Sequence, residues 1–182
     1  VDNTYLYLWN IKNGYPDSAI VCGKKYLFNF KRSIPSNSAS NYSDEDLSIE
    51  FPKYSLFDTL YLSYSKFTNI ERKTEYFNFE HYDQPIRKSI TLKIKPKLKY
   101  DQKHSFLYTV DGESNLNFAG GTWANNQIVL QTRDLVTYTI ALDTIPPEIS
   151  HLKSEPGKLK FKIQDKMSGI NNYEARLNEK WV

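Results

Sequence analysis

The stretch that decides the fold is Ile90-Thr91-Leu92-Lys93-Ile94-Lys95-Pro96-Lys97-Leu98-Lys99-Tyr100. Ile90, Leu92, Ile94 and Leu98 share one parity, and Lys93, Lys95, Lys97 and Lys99 share the other. Successive side chains of a strand point to opposite faces, so this pattern reads as a half-buried strand with a row of lysines on its outer face. Pro96 has no N–H to give to a ladder, which predicts an edge strand or a bulge at that point.

The same period of two extends in both directions. Upstream it predicts strands at Tyr5-Leu6-Tyr7-Leu8-Trp9, at Tyr26 to Phe30 after a turn at Gly23-Lys24, at Leu47-Ser48-Ile49-Glu50-Phe51, at Thr59 to Tyr64 and at Tyr76 to Phe79. The polar segment Ser33 to Asp46, rich in Ser and Asn, has the composition of a surface loop. Downstream, strands are expected at Ser105 to Val110, leading into the turn dipeptide Asp111-Gly112, and at Gln127 to Gln131 and Val136 to Leu142. No window shows a helical stripe, and Leu56-Phe57-Asp58 has room for one helical turn at most. The fold class expected is all-β: an antiparallel β-sandwich followed by an immunoglobulin-like β domain.

A boundary falls at Asp143-Thr144-Ile145-Pro146-Pro147, where two prolines in a row favour a stiff extended link. The first domain is read as residues 1–142, with residues 1–50 either part of it or the end of a preceding domain. The second starts at 143. Leu159, Phe161 and Ile163 alternate there with Lys158, Lys160 and Lys162. Asp165 to Gly169 reads as a turn, Tyr173, Ala175 and Leu177 alternate again, and Lys180-Trp181-Val182 follows a turn at Asn178-Glu179. That is about four strands against roughly seven in a complete immunoglobulin-like sandwich, so residues 143–182 read as the start of such a domain. The opening on Val1 and a strand-like end suggest a mature portion of a longer chain.

Composition narrows the function classes. The chain has 182 residues, is 40% hydrophobic and 25% charged, and carries a formal charge of +3. That suits a folded soluble protein, and the surplus is too small to imply nucleic-acid binding. No apolar run approaches the roughly 18 residues of a membrane helix. The single cysteine, Cys22, follows the apolar pair Ile20-Val21 and reads as a small buried hydrophobe. His81, His104 and His151 belong to no H-x-H or H-E-x-x-H pair, so no metal site is assigned. Asp44-Glu45-Asp46 lacks the D-x-D-x-D-G spacing of a calcium loop and reads as solvated. Gly120-Gly121 is followed by no phosphate-loop lysine and reads as a turn or bulge needing positive φ. No catalytic or cofactor-binding residue is assigned.

Two features remain as contact candidates. Lys93, Lys95, Lys97 and Lys99 could meet an anionic polymer such as an acidic glycan, although lysines on a solvated outer face are the more ordinary reading. The 14 Tyr, 10 Phe and 3 Trp could include sugar-stacking rings, although filling a core is their more common use.

Three stretches in order support a family resemblance. They are Tyr54-Ser55-Leu56-Phe57-Asp58-Thr59-Leu60; Phe118-Ala119-Gly120-Gly121-Thr122-Trp123, continuing through Arg133 to Asp143-Thr144-Ile145-Pro146-Pro147-Glu148-Ile149; and Asp165-Lys166-Met167-Ser168-Gly169-Ile170 with Lys180-Trp181 after it. Residues 54–182 resemble the C-terminal, non-catalytic β-sandwich region of lysostaphin-type zinc metallopeptidases of Bacteroidetes. The zinc-ligand motifs of that family, H-x-x-x-D and H-x-H, are absent, and Glu179 stands where a glycine is usual before the final Lys-Trp. The resemblance implies a periplasmic or cell-envelope location and an accessory, non-enzymatic part beside a peptidoglycan hydrolase. The partners would be the catalytic domain of the same parent chain, another envelope protein, or peptidoglycan.

Overall fold

The computed structural model describes residues 16, 18–28, 30–79, 81, 84–170 and 172–181; the expected strand Tyr5 to Trp9 lies outside them. Among the described residues there is no helix, and the chain is all-β. The strands are β1 (Ser18–Val21), β2 (Lys24–Leu27), β3 (Arg32–Ile34), β4 (Ser40–Ser43), β5 (Leu47–Phe51), β6 (Leu60–Leu62), β7 (Tyr64–Asn69), β8 (Thr74–Phe79) and β9 (Ile90–Ile94). They continue with β10 (Ser105–Val110), β11 (Leu116–Gly120), β12 (Thr122–Ala124), β13 (Gln127–Thr132), β14 (Thr137–Leu142), β15 (Glu148–Glu155), β16 (Lys158–Gln164), β17 (Arg176–Leu177) and β18 (Lys180–Trp181).

Two five-stranded antiparallel sheets carry the core, in the orders β11-β10-β14-β8-β7 and β12-β13-β9-β5-β4. Alternation fills the space between them. Leu47, Ile49, Ile90, Leu92, Ile94 and Ile128 from one sheet meet Phe77, Phe79, Leu107, Tyr138 and Ile140 from the other, and each is at most 1% exposed. Truncating a side chain so placed to alanine costs about 2–5 kcal/mol. The short pair β3-β6 adds Ile34, Leu60 and Leu62 to the same core.

The sheets are joined at a corner. β11 runs in one sheet and β12 in the other, and the chain crosses between them at Gly120-Gly121, with φ of 94° and 105°. L side chains rarely adopt such angles. A Cβ on Gly121 would also lie 2.8 Å from Cγ1 of Ile128. Trp123 closes the corner by donating its indole N–H to the Ser105 carbonyl at 2.7 Å.

Several expectations are corrected. The strand read through Pro96 ends at Ile94, and β9 is the central strand of its sheet, paired on both sides. Pro96 therefore stops the strand and marks no edge. The Ser/Asn-rich segment from Ser33 to Asp46 is not one loop, because β3 begins at Arg32 and β4 lies within it. β4 is an edge strand that buries only Tyr42, so its sequence stays polar. Leu56-Phe57-Asp58 forms no helical turn; Leu56 bridges to Ile86 in antiparallel fashion. Cys22 is exposed, not buried. The β1-β2 turn is Cys22-Gly23, one residue earlier than Gly23-Lys24, and both residues have positive φ, as the tight hairpin turn of type I′ requires. Tyr26 and Phe28 are exposed as well, since among the described residues β2 pairs only with β1.

Beyond Pro147 the chain forms two hairpins, β15-β16 and β17-β18, with Ile149, Leu159, Phe161 and Trp181 more than half exposed.

Candidate functional site

The lysine row diverges in the structure. Only Lys93 lies on β9, where it pairs with Glu50. Lys95 reaches back to the Asp44 carbonyl at 2.9 Å and to the Ser43 hydroxyl at 3.2 Å. Lys97 lies 3.3 Å from Glu45 and 3.4 Å from Asp46. Lys99, exposed, forms no ion pair among the described residues and lines a groove described below. The four cations thus share no single face, because the strand that would align them ends before three of them.

The acidic triplet organises this end of the sandwich. Asp44 sits in the β4-β5 turn. One carboxylate oxygen accepts from the N–H groups of Asp46 and Leu47 at 2.9 and 3.0 Å. The other accepts from the hydroxyls of Tyr42, at 2.6 Å, and Tyr64. Burial alone would raise the Asp44 pKa, but these hydroxyls and N–H groups outweigh it and hold the carboxyl below the ordinary carboxylate value. Burial, and then the bond to Asp44, pushes Tyr42 up to about 12 and Tyr64 further in the same direction. Asp46 pairs with Lys66 at 2.9 Å, and Lys66 also meets the fully buried Glu75 at 2.7 Å. Glu75 is further held by the N–H groups of Lys97 and Leu98, both at 3.0 Å. This network is closed on itself. Each carboxylate is matched by donors from another strand or turn, which is what a buried charge requires.

A groove of about 400 Å3 opens over β14. Register places Tyr76 of β8 beside Thr139 of β14, and both line the groove together with Ala141. Tyr76 stacks on its cross-strand partner Phe67 at 4.5 Å with the rings 5° from parallel. Arg72, Lys73 and Lys99 line the cationic end, and Leu116 and Leu142 are also lining residues. Ser105 lines it too, and its hydroxyl is buried without a hydrogen-bond partner. No local pattern signals this groove, because its lining draws on four separated segments.

The three histidines make separate contacts. His81 accepts from the Ser63 N–H at 2.9 Å through Nε2, His104 meets Asp101 at 2.7 Å, and His151 meets the Ser154 hydroxyl at 2.7 Å. Among the described residues no three His, Cys, Asp or Glu side chains come together to hold a metal ion.

The residues that carried the family resemblance are clasps. Ser55 receives the Arg87 N–H at 2.7 Å, and the Arg133 guanidinium donates to the carbonyls of Ile86 and Arg87 at 3.1 and 2.8 Å. Asp143 accepts from the Ser168 N–H at 2.9 Å, and Asp165 accepts from the N–H groups of Met167 and Gly169 at 2.8 and 2.9 Å.

This combination, two antiparallel five-stranded sheets joined at a glycine corner and pinned by a carboxylate–tyrosine network, defines a β-sandwich domain. Residues 31–143 match the Zu5-like domain, and the chain belongs to that family. The match runs from the residue before β3 to the residue after β14, the span of the two sheets. No curated protein matches the chain.

Proposed function

We propose that the chain is a non-catalytic positioning module of a larger cell-envelope protein, in which the Zu5-like sandwich holds the unit that follows it at a fixed angle. The observation that carries this reading is the joint at Asp143. Its carboxylate receives the Ser168 N–H across 25 residues, while its own N–H is bound to the His104 carbonyl of the sandwich at 2.8 Å. Pro146 and Pro147 stiffen the link between. A spacer that orients a neighbour needs this kind of tether, since an unlatched linker leaves domains free to move. The envelope location and a peptidoglycan hydrolase as the parent protein rest on the resemblance of residues 54–182.

Small-angle scattering tests the positioning reading. The wild-type chain should give one narrow distance distribution, and Asp143→Ala should broaden it. An unchanged curve in the variant would contradict the proposal. Incubation with insoluble peptidoglycan and added zinc should release no fragments; turnover lost on replacing His81, His104 or His151 would overturn the non-catalytic part.

A second reading, a carbohydrate-binding module, is favoured by one observation: the stacked Phe67–Tyr76 pair stands on an outer sheet surface, with Phe67 53% exposed. Sedimentation with insoluble peptidoglycan tests it. Binding that persists when Lys93, Lys95, Lys97 and Lys99 are changed to glutamate would count against the lysine row as the contact.

A further inference from the structure

We propose that the groove over β14 binds an acidic sugar, a ring bearing hydroxyls and one carboxylate. The site rests on the carbohydrate-binding reading for its ligand class and is independent of the positioning reading.

Three features converge there. The first is shape. Thr139 and Ala141 are small, and beside them Tyr76 presents a ring already supported from behind by Phe67. Such a supported ring offers a flat apolar face at little conformational cost, suited to the C–H face of a pyranose. The volume, about 400 Å3, lies within the usual range of small-ligand sites.

The second is charge. Arg72, Lys73 and Lys99 line the groove, and none forms an ion pair among the described residues. By contrast, Lys66, Lys93 and Lys97 are matched by Asp46, Glu75, Glu50 and Glu45. The one acid lining the groove, Asp101, is engaged by His104 at 2.7 Å and by the Lys103 N–H at 3.1 Å. A carboxylate on the ligand complements the three cations left over.

The third is hydrogen bonding. Thr74 lines the groove, and its hydroxyl, which donates to the Ile140 carbonyl at 2.8 Å, keeps a lone pair that can accept. A sugar hydroxyl supplies the donor. An acidic peptide fits less well. β8 and β14 are interior strands, paired on both sides, so they offer no free ladder on which an extended backbone could add.

The test is a titration of the isotope-labelled chain followed by amide shifts. The acidic probes are a galacturonate tetramer and N-acetylmuramic acid; an N-acetylglucosamine tetramer and polyglutamate are the comparators. The acidic sugars should shift the amides of Tyr76, Lys99 and Thr139 and bind at least about tenfold more tightly than either comparator. Tyr76→Ala and Lys99→Glu, both at solvent-accessible positions, should each weaken binding about tenfold with the remaining spectrum unchanged. Shifts confined to Lys93, Lys95 and Lys97 would overturn the groove while sparing the carbohydrate reading. No response to either acidic sugar would overturn both. Equal binding of polyglutamate, indifferent to Tyr76→Ala, would mean a general anion surface and overturn the proposal.

Discussion

The Asp143 carboxylate accepts the Ser168 backbone N–H at 2.9 Å, and so joins the last residue of the Zu5-like match to the turn after β16. The Ser168 hydroxyl adds a bond that holds the Asp143 carboxyl below the ordinary carboxylate range. A carboxyl whose pKa is depressed on folding gives stability that is present above its unfolded value and lost as pH falls through the folded one. The joint should therefore hold at neutral pH and release in acid, below about pH 4. Amide exchange at Ser168, followed from pH 7 to pH 3, should accelerate beyond the intrinsic trend. In Asp143→Asn that extra acceleration should be absent.

The Asp44 network makes a stability prediction. Tyr64→Phe removes a hydroxyl that donates to a charged, partly buried carboxylate. A hydrogen bond to a charged group is worth about 1.5–3 kcal/mol, and urea denaturation should register a loss of that size. Because folding raises the pKa of Tyr42 and Tyr64, their contribution is complete below about pH 10 and is lost as pH rises through the folded values. Wild-type protein should lose stability from about pH 10 upward, and the double variant Tyr42→Phe with Tyr64→Phe should lose less over that window.

Glu75 is a charge with no access to water, held by Lys66 and two N–H groups. Glu75→Ala leaves the N–H groups of Lys97 and Leu98 without this acceptor and Lys66 with Asp46 alone, and breaking a buried pair on one side costs about 3–5 kcal/mol. Thermal unfolding should show a large drop in Tm. Glu75→Leu with Lys66→Met, which removes both charges, should recover part of it.

Gly121 is required twice, by its φ of 105° and by the 2.8 Å approach of Ile128. Gly121→Ala should cost about 2–4 kcal/mol, combining left-handed backbone strain with overpacking. Adding Ile128→Val should return part of that loss if the contact matters, and none if backbone strain is the whole cost.

The all-β class was legible because alternation is a local property. Leu92, Ile94, Leu107 and Ile140 each stand inside a run of period two, and each is buried. What local pattern misses is the neighbour across a sheet. Pro96 points to an edge or a bulge, yet the place of β9 at the centre depends on β5 and β13, which lie far off in the chain. β4 was hidden because an edge strand with one buried residue needs no alternation. Cys22 looked buried beside Ile20 and Val21, but a two-residue turn at that spot forces it outward. The lysine row was visible as a row, whereas its use was not. Glu45, Asp46 and Glu50 precede those lysines by more than forty residues, and only pairing of β5 with β9 brings them together. Arg133 closes on Ile86 and Arg87, and Asp143 on Ser168, contacts between segments far apart in the chain that no local pattern displays.

The central claim is that the sandwich and the hairpin after it move together. Nitrogen relaxation of backbone amides measures this directly. Amides of β9 and of β15-β16 should report the same rotational correlation time in the wild-type chain, and Asp143→Ala should shorten the value for β15-β16 alone. A shorter correlation time for β15-β16 already in the wild-type protein would contradict the account.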